Sequence, residues 1–123
     1  MSNSREKAMR ILLVEDIKII QDIHVWYLKN MGCLVDVASD AEQALCLADN
    51  VYDLILLDIG LPGMNGIELF YRLKERLIHQ NTKIFALTAY GDLETKRHCL
   101  RAGMEKVLHK PITQDELKAE IFE

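Results

Sequence analysis

Five residues able to do chemistry stand at the ends of short apolar runs. Glu15 and Asp16 follow Ile11-Leu12-Leu13-Val14, and Asp58 follows Leu54-Ile55-Leu56-Leu57. Thr88 follows Ile84-Phe85-Ala86-Leu87, and Lys110, with Pro111 after it, closes a stretch that begins Lys106-Val107-Leu108. Brought together, three carboxylates repel one another, and at least one is then pushed toward protonation unless a cation sits among them. A hard divalent ion is the natural remedy. Mg²⁺ takes oxygen ligands, needs few protein carboxylates, and leaves room for water or phosphate oxygens. In such a site Asp58 is the nucleophile, because a carboxylate can form an acyl phosphate. Thr88 can donate to a phosphoryl oxygen and Lys110 can neutralise one. Any one of these carboxylates alone reads as a solvated loop residue. Their arrival at one place is what argues for a site.

That arrival depends on the elements that carry them. Runs of four to six apolar residues with β-branched members suit strands buried on both faces. Strands are expected at 10–14, 34–38 (an edge strand, by its alternation), 54–57, 83–87 and 106–108. Helical spacing is expected between them. Over 17–31 it is carried by Ile19, Ile20, Ile23, Tyr27 and Met31, with Gly32 as terminator. A second helix is opened by a capping box of Ser39 and Glu42, with Ala41, Ala44, Leu45 and Ala48 facing inward. A third spans 67–78 with Leu69, Phe70, Leu73 and Leu77 inward. The fourth spans 93–102 on a thin stripe of Leu93, Cys99, Leu100 and Ala102. The last is opened by Thr113 and Glu116 and carries Leu117 and Ile121 inward. Strands alternating with helices imply an α/β fold, a parallel sheet with helices on both faces. A parallel sheet puts all its strand carboxyl ends on one edge, where open sheets of this kind bind ligands. Residues 1–8 are polar and unpatterned and read as a flexible terminus or linker remnant, leaving 9–123 as one domain.

Composition narrows the function. The chain has 123 residues, 50% hydrophobic and 28% charged, with 15 basic against 19 acidic residues and a net charge of −4. An acidic domain of this size is a poor non-specific nucleic-acid binder. The apolar runs are too short to span a membrane, and no signal-peptide pattern is present. Cys33, Cys46 and Cys99 form no CxxC pair, which argues against zinc and thioredoxin-like chemistry and for a reducing, cytoplasmic setting. His24, His79, His98 and His109 share no ligand spacing and read as surface or supporting residues.

The run Ile11 to Asp16, the segment Asp58 with Leu61-Pro62-Gly63-Met64-Asn65-Gly66, Ala86-Leu87-Thr88-Ala89, and Lys110-Pro111 together resemble a response-regulator receiver domain. The resemblance covers about residues 10–122 in the family's order and spacing. It implies the flavodoxin-like receiver fold, with five parallel strands in the order 2-1-3-4-5. It implies Asp58 as phosphoacceptor, and Asp16 directly and Glu15 through water as holders of Mg²⁺. The backbone carbonyl of Gly60 is implied as a further ligand, Thr88 and Lys110 as partners of the phosphoryl group, and a cis Lys110-Pro111 bond. The implied function is phosphoacceptance from a histidine kinase, in a signalling domain rather than an enzyme. The stretches 86–89, 99–104 and 108–112 are most similar to receivers of hybrid sensor histidine kinases. That implies onward transfer to a histidine phosphotransfer domain, docking against the first helix with Ile17, Ile20 and His24 as contacts. The parent chain could then be anchored in the inner membrane, with no membrane contact by this domain. The polar start and short last helix also suit a domain cut from a longer chain.

Two departures stand out. Val107 occupies the family's switch-aromatic position, so that rotation cannot occur there, and Tyr90 is the nearest candidate to replace it. Gly60, two residues after Asp58, has no side chain where the family tunes phosphoryl lifetime. The alternatives are a stand-alone single-domain regulator and an unphosphorylated pseudo-receiver. A dehalogenase-type phosphatase needs a second Asp at position 60, and a P-loop enzyme needs a GxxxxGK[ST] run that is missing.

Overall fold

The computed structural model describes residues 8–60, 65–77, 80–89 and 91–122. Five strands alternate with five helices: β1 (Arg10–Val14), α1 (Lys18–Asn30), β2 (Leu34–Ala38), α2 (Ala41–Leu47), β3 (Leu54–Asp58), α3 (Gly66–Arg76), β4 (Lys83–Ala89), α4 (Leu93–Ala102), β5 (Lys106–Lys110) and α5 (Gln114–Phe122). The sheet is parallel throughout, in the order β2-β1-β3-β4-β5, as the resemblance implied. Register places Val14 beside Leu57, Asp58 beside Leu87, and Ala89 beside Lys110. The chemically able residues therefore share one edge.

Successive side chains of a strand point to opposite faces, so each inner strand feeds two cores. Leu12, Val14, Ile55, Leu57 and Ala86 pack with Ala44, Phe70, Leu73, Cys99 and Met104, beneath α2, α3 and α4. Ile11, Leu13, Leu54, Leu56 and Leu87 pack with Leu28, Leu108 and Leu117, beneath α1 and α5. Four of the five β1 residues and all five of β3 are buried, which is why both read as unbroken apolar runs.

Three expectations need correction. The second helix is capped by Asp40 rather than Ser39: Asp40 Oδ1 accepts from Gln43 N at 2.8 Å, and Ser39 N donates to Gln43 Oε1 at 2.7 Å. The helix begins one residue later than expected, which moves the box from Ser39 and Glu42 to Asp40 and Gln43. On α1 the buried residues are Gln21, His24 and Leu28, while Ile19, Ile23 and Trp26 are exposed. Polar Gln21 can be buried because its amide finds two oxygen partners, so hydropathy alone misplaces this face. On α4, Cys99 and Ala102 are buried but Leu93 and Leu100 are exposed. The Thr113 and Glu116 box forms as expected, with Thr113 N donating to Glu116 Oε1 and Glu116 N to Thr113 Oγ1. The Lys110-Pro111 bond is cis, and Gly32 follows α1 at φ +87°.

Gly66 opens α3 against the end of β3. A Cβ there would meet Ile59 Cα at 2.5 Å and Ile59 O at 2.7 Å, and backbone cannot swing aside as a side chain can. Gly66→Ala should lower stability by about 1–3 kcal/mol, as overpacking does, and show as a lower urea midpoint with an unchanged slope.

Candidate functional site

The loop after β1, the end of β3, the end of β4 and the end of β5 enclose a cleft of about 390 Å³ lined by Asp16, Asp58, Gly60, Thr88 and Lys110, among others. Carboxylate oxygens of Glu15, Asp16 and Asp58 lie within 4.8 Å of one another. Lys110 Nζ is 3.2 Å from Asp58 Oδ2 and 3.5 Å from Glu15 Oε1. Thr88 is buried at the end of β4 in the same cleft. The structure thus brings together all five residues singled out in the sequence. Gly60 joins them through its N–H, which donates to Asp58 Oδ1 at 2.9 Å. A larger hollow of about 720 Å³ lies at the amino ends of the strands, remote from these groups.

The electrostatics are unbalanced. Ionised, the three carboxylates carry three negative charges against the one positive charge of Lys110. Glu15 is fully buried, and burial, with the negative charge of Asp58 second, pushes its pKa from 4.5 up to about 7. The hydrogen bond from Ile17 N and the charge of Lys110 pull the other way without prevailing. A cluster of hard oxygen donors with this excess charge and an open cleft fits a divalent cation. Among the described residues the donors include no thiolate, and no imidazole shares the cluster.

Several residues bear on the site without having been read from the sequence. Gln21, buried on α1, donates through Nε2 to Glu15 O at 2.5 Å and to Ser39 Oγ at 3.0 Å. Its only sequence signal is a polar residue at helical spacing from His24 and Leu28. Asp92 and Thr95 also line the cleft. Asp92 caps α4, and hydrogen bonds from the Thr95 hydroxyl and N–H hold its carboxyl below the usual range. His24, read as a surface or supporting residue and as a docking contact, is buried, which leaves the supporting reading and removes it as a docking contact. Burial foremost, and then the charge of Lys110, keep its pKa below the ordinary value. Val107 is half-buried against the core beneath α4. Tyr90, His79 and the Leu61-Pro62-Gly63-Met64 segment lie outside the described residues.

Comparison with known proteins agrees with this geometry. Residues 11–122 match the family model "Response regulator receiver domain". The chain is 40% identical over 119 residues to the sensor histidine kinase AruS of Pseudomonas aeruginosa, covering 94% of this chain and 12% of that protein. It spans between 6% and 30% of the length of the first three curated relatives it matches. Among solved structures, the receiver domain of the sensor histidine kinase PA1611 from P. aeruginosa, with magnesium coordinated in its active-site cleft, superposes with a TM-score of 0.83 at 33% identity. That match covers 94% of this chain and 95% of the other. A CheY-like receiver domain protein from Methanospirillum hungatei gives a TM-score of 0.85 at 31% identity, over 94% and 92% of the two chains. Sheet order, strand-end carboxylates and a family match over nearly the whole length agree, and the chain belongs to the response regulator receiver domains of two-component signalling.

Proposed function

We propose that this domain accepts a phosphoryl group on Asp58 in a Mg²⁺-dependent reaction and passes it on in a phosphorelay. The observation that carries the reading is the buried Asp58 carboxylate, held between Gly60 N–H and Lys110 Nζ beside two further carboxylates. Asp16 and Asp58 would ligate Mg²⁺ directly, with the Gly60 carbonyl, and Glu15 would hold it through water. Bound there, the metal supplies charge neutralisation between the carboxylates and the incoming phosphoryl oxygens. The donor is the phosphohistidine of a histidine kinase. An Asp58 oxygen forms the new O–P bond as the P–N bond breaks, and the electron pair leaves with the imidazole, which takes up a proton. Lys110 and the Thr88 hydroxyl then hold phosphoryl oxygens. Intact mass after incubation with a small acyl-phosphate donor tests this. One phosphoryl group is gained with Mg²⁺ and none after chelation, and equal gain in both would end the metal-dependent reading.

The relay partner is a histidine phosphotransfer domain docking on α1. Ile17, at the N-cap of α1, lines the cleft, and Ile19, Ile23 and Trp26 form an exposed apolar stripe on the helix, on the side away from buried Gln21, His24 and Leu28. Ile17 remains from the contacts expected in the sequence, Ile20 is half-buried, and His24 drops out. Grooves and helix faces of this kind bind apolar helices through i, i+4, i+7 anchors. Ile19→Asp should leave phosphorylation by the small donor unchanged and slow transfer to the partner's histidine on the order of tenfold, read in a transfer time course. Among the described residues no helix is long and apolar enough to cross a membrane.

A further inference from the structure

We infer that Gln21 is a positioning residue for the metal ligands, gripping the peptide that joins Glu15 to Asp16. This rests on the divalent-metal reading of the cleft. Gln21 is 6% exposed and sits on the first turns of α1, behind the acidic loop. Its Nε2 donates to Glu15 O at 2.5 Å and to Ser39 Oγ at 3.0 Å, so both amide protons are used. The Glu15 carbonyl belongs to a planar unit that ends at Asp16 Cα. Fixing that oxygen fixes the plane, and with it the direction in which the Asp16 carboxylate leaves the loop.

The rest of the loop is held from other sides. Glu15 N donates to Ala38 O at 3.0 Å, and Ile17 N donates to Glu15 Oε2 at 3.3 Å. Ser39 is itself tied to the start of α2, where its N–H donates to Gln43 Oε1. Gln21 therefore braces the acidic loop between α1 and the β2–α2 corner. The brace opposes a standing force. Glu15, Asp16 and Asp58 lie within 4.8 Å of one another, and their mutual repulsion drives Asp16, on the loop, outward. A loop already held in the ligating geometry binds the cation without first being ordered. Supports behind metal ligands typically contribute tenfold or more to metal affinity.

The test is urea unfolding of the full chain across a Mg²⁺ titration, which reads metal-free stability and Mg²⁺ affinity from the same curves. Gln21→Met keeps the side-chain length and removes both donors. It is expected to weaken Mg²⁺ about tenfold, beyond whatever it does to the metal-free midpoint. Gln21→Asn, one methylene too short to reach both oxygens, should weaken Mg²⁺ similarly and serves if the methionine variant does not fold. Ser39→Ala removes only the second partner and should keep Mg²⁺ affinity within about twofold, as the Glu15 grip remains. A lowered metal-free midpoint with unchanged Mg²⁺ affinity in Gln21→Met and Gln21→Asn would make Gln21 merely structural and overturn the proposal. A wild-type chain whose unfolding ignores Mg²⁺ would overturn the metal reading and this inference together.

Discussion

Asp58→Asn is expected to abolish phosphorylation, lowering the initial rate by at least about 10³-fold in the intact-mass assay, as loss of a nucleophile does. The substitution is conservative in shape. The asparagine oxygen can still accept from Gly60 N–H, which now bonds Asp58 Oδ1 at 2.9 Å. What is lost is the nucleophile, since an amide oxygen does not form a stable O–P bond. Two further consequences follow from the contacts. Lys110 Nζ loses its 3.2 Å partner and keeps only Glu15 at 3.5 Å. Glu15 is freed of the neighbouring negative charge that is the second cause of its raised pKa, so it titrates lower, though burial still holds it above the ordinary value. Mg²⁺ affinity should also fall on the order of tenfold, because one of three clustered carboxylates is gone. Undiminished phosphorylation of the asparagine variant would place the acceptor elsewhere in the chain.

The second large effect is on stability against pH. In metal-free buffer Glu15 titrates near 7 in the folded chain and near its ordinary 4.5 when unfolded. Between these values the folded state binds the extra proton. Stability from this group is therefore complete below about pH 4.5 and is lost as pH rises through 7. At about 1.4 kcal/mol per pKa unit the loss approaches about 3 kcal/mol. Mg²⁺ competes for the same carboxylate cluster. Its stabilising increment in urea unfolding should be small near pH 5, grow as Glu15 deprotonates, and level off above about pH 7. Other carboxylates impose their own acid dependence, so the difference between curves with and without Mg²⁺ is the quantity to follow. Glu15→Gln carries no titrating group at that position and should flatten both the metal-free slope and the pH dependence of the increment. A Mg²⁺ increment equally large at pH 5 and pH 8 would show that Glu15 is not the group that exchanges proton for metal.

Much of the molecule was legible before folding because its strands are buried on both faces. A two-sided strand must be apolar at every position, so Ile11 to Val14 and Leu54 to Leu57 announce themselves, and the first polar residue after each marks the sheet edge. Parallel order then carries Glu15, Asp16, Asp58, Thr88 and Lys110 to one edge with no knowledge of packing. The departures at Val107 and Gly60 were visible only through the family resemblance, counted from Lys110 and Asp58. The faces of the helices were less legible. The inner face of α1 presents Gln21 and His24, while Ile19, Ile23 and Trp26 look outward. Hydropathy assumes that apolar residues go inside, and it fails where a buried amide finds its partners in other elements. The Asp40 cap, the cleft-lining Asp92 and Thr95, and the grip of Gln21 on Glu15 are also matters of approach between segments. Sequence by itself determined the alternation of elements and which residues reach the carboxyl edge, because strand burial and chain direction are local properties. Only the tertiary structure decided which polar groups are satisfied inside, how Lys110 divides itself between Asp58 and Glu15, and how far burial raises Glu15. Those depend on distances between residues as many as 95 positions apart along the chain, which no periodicity encodes.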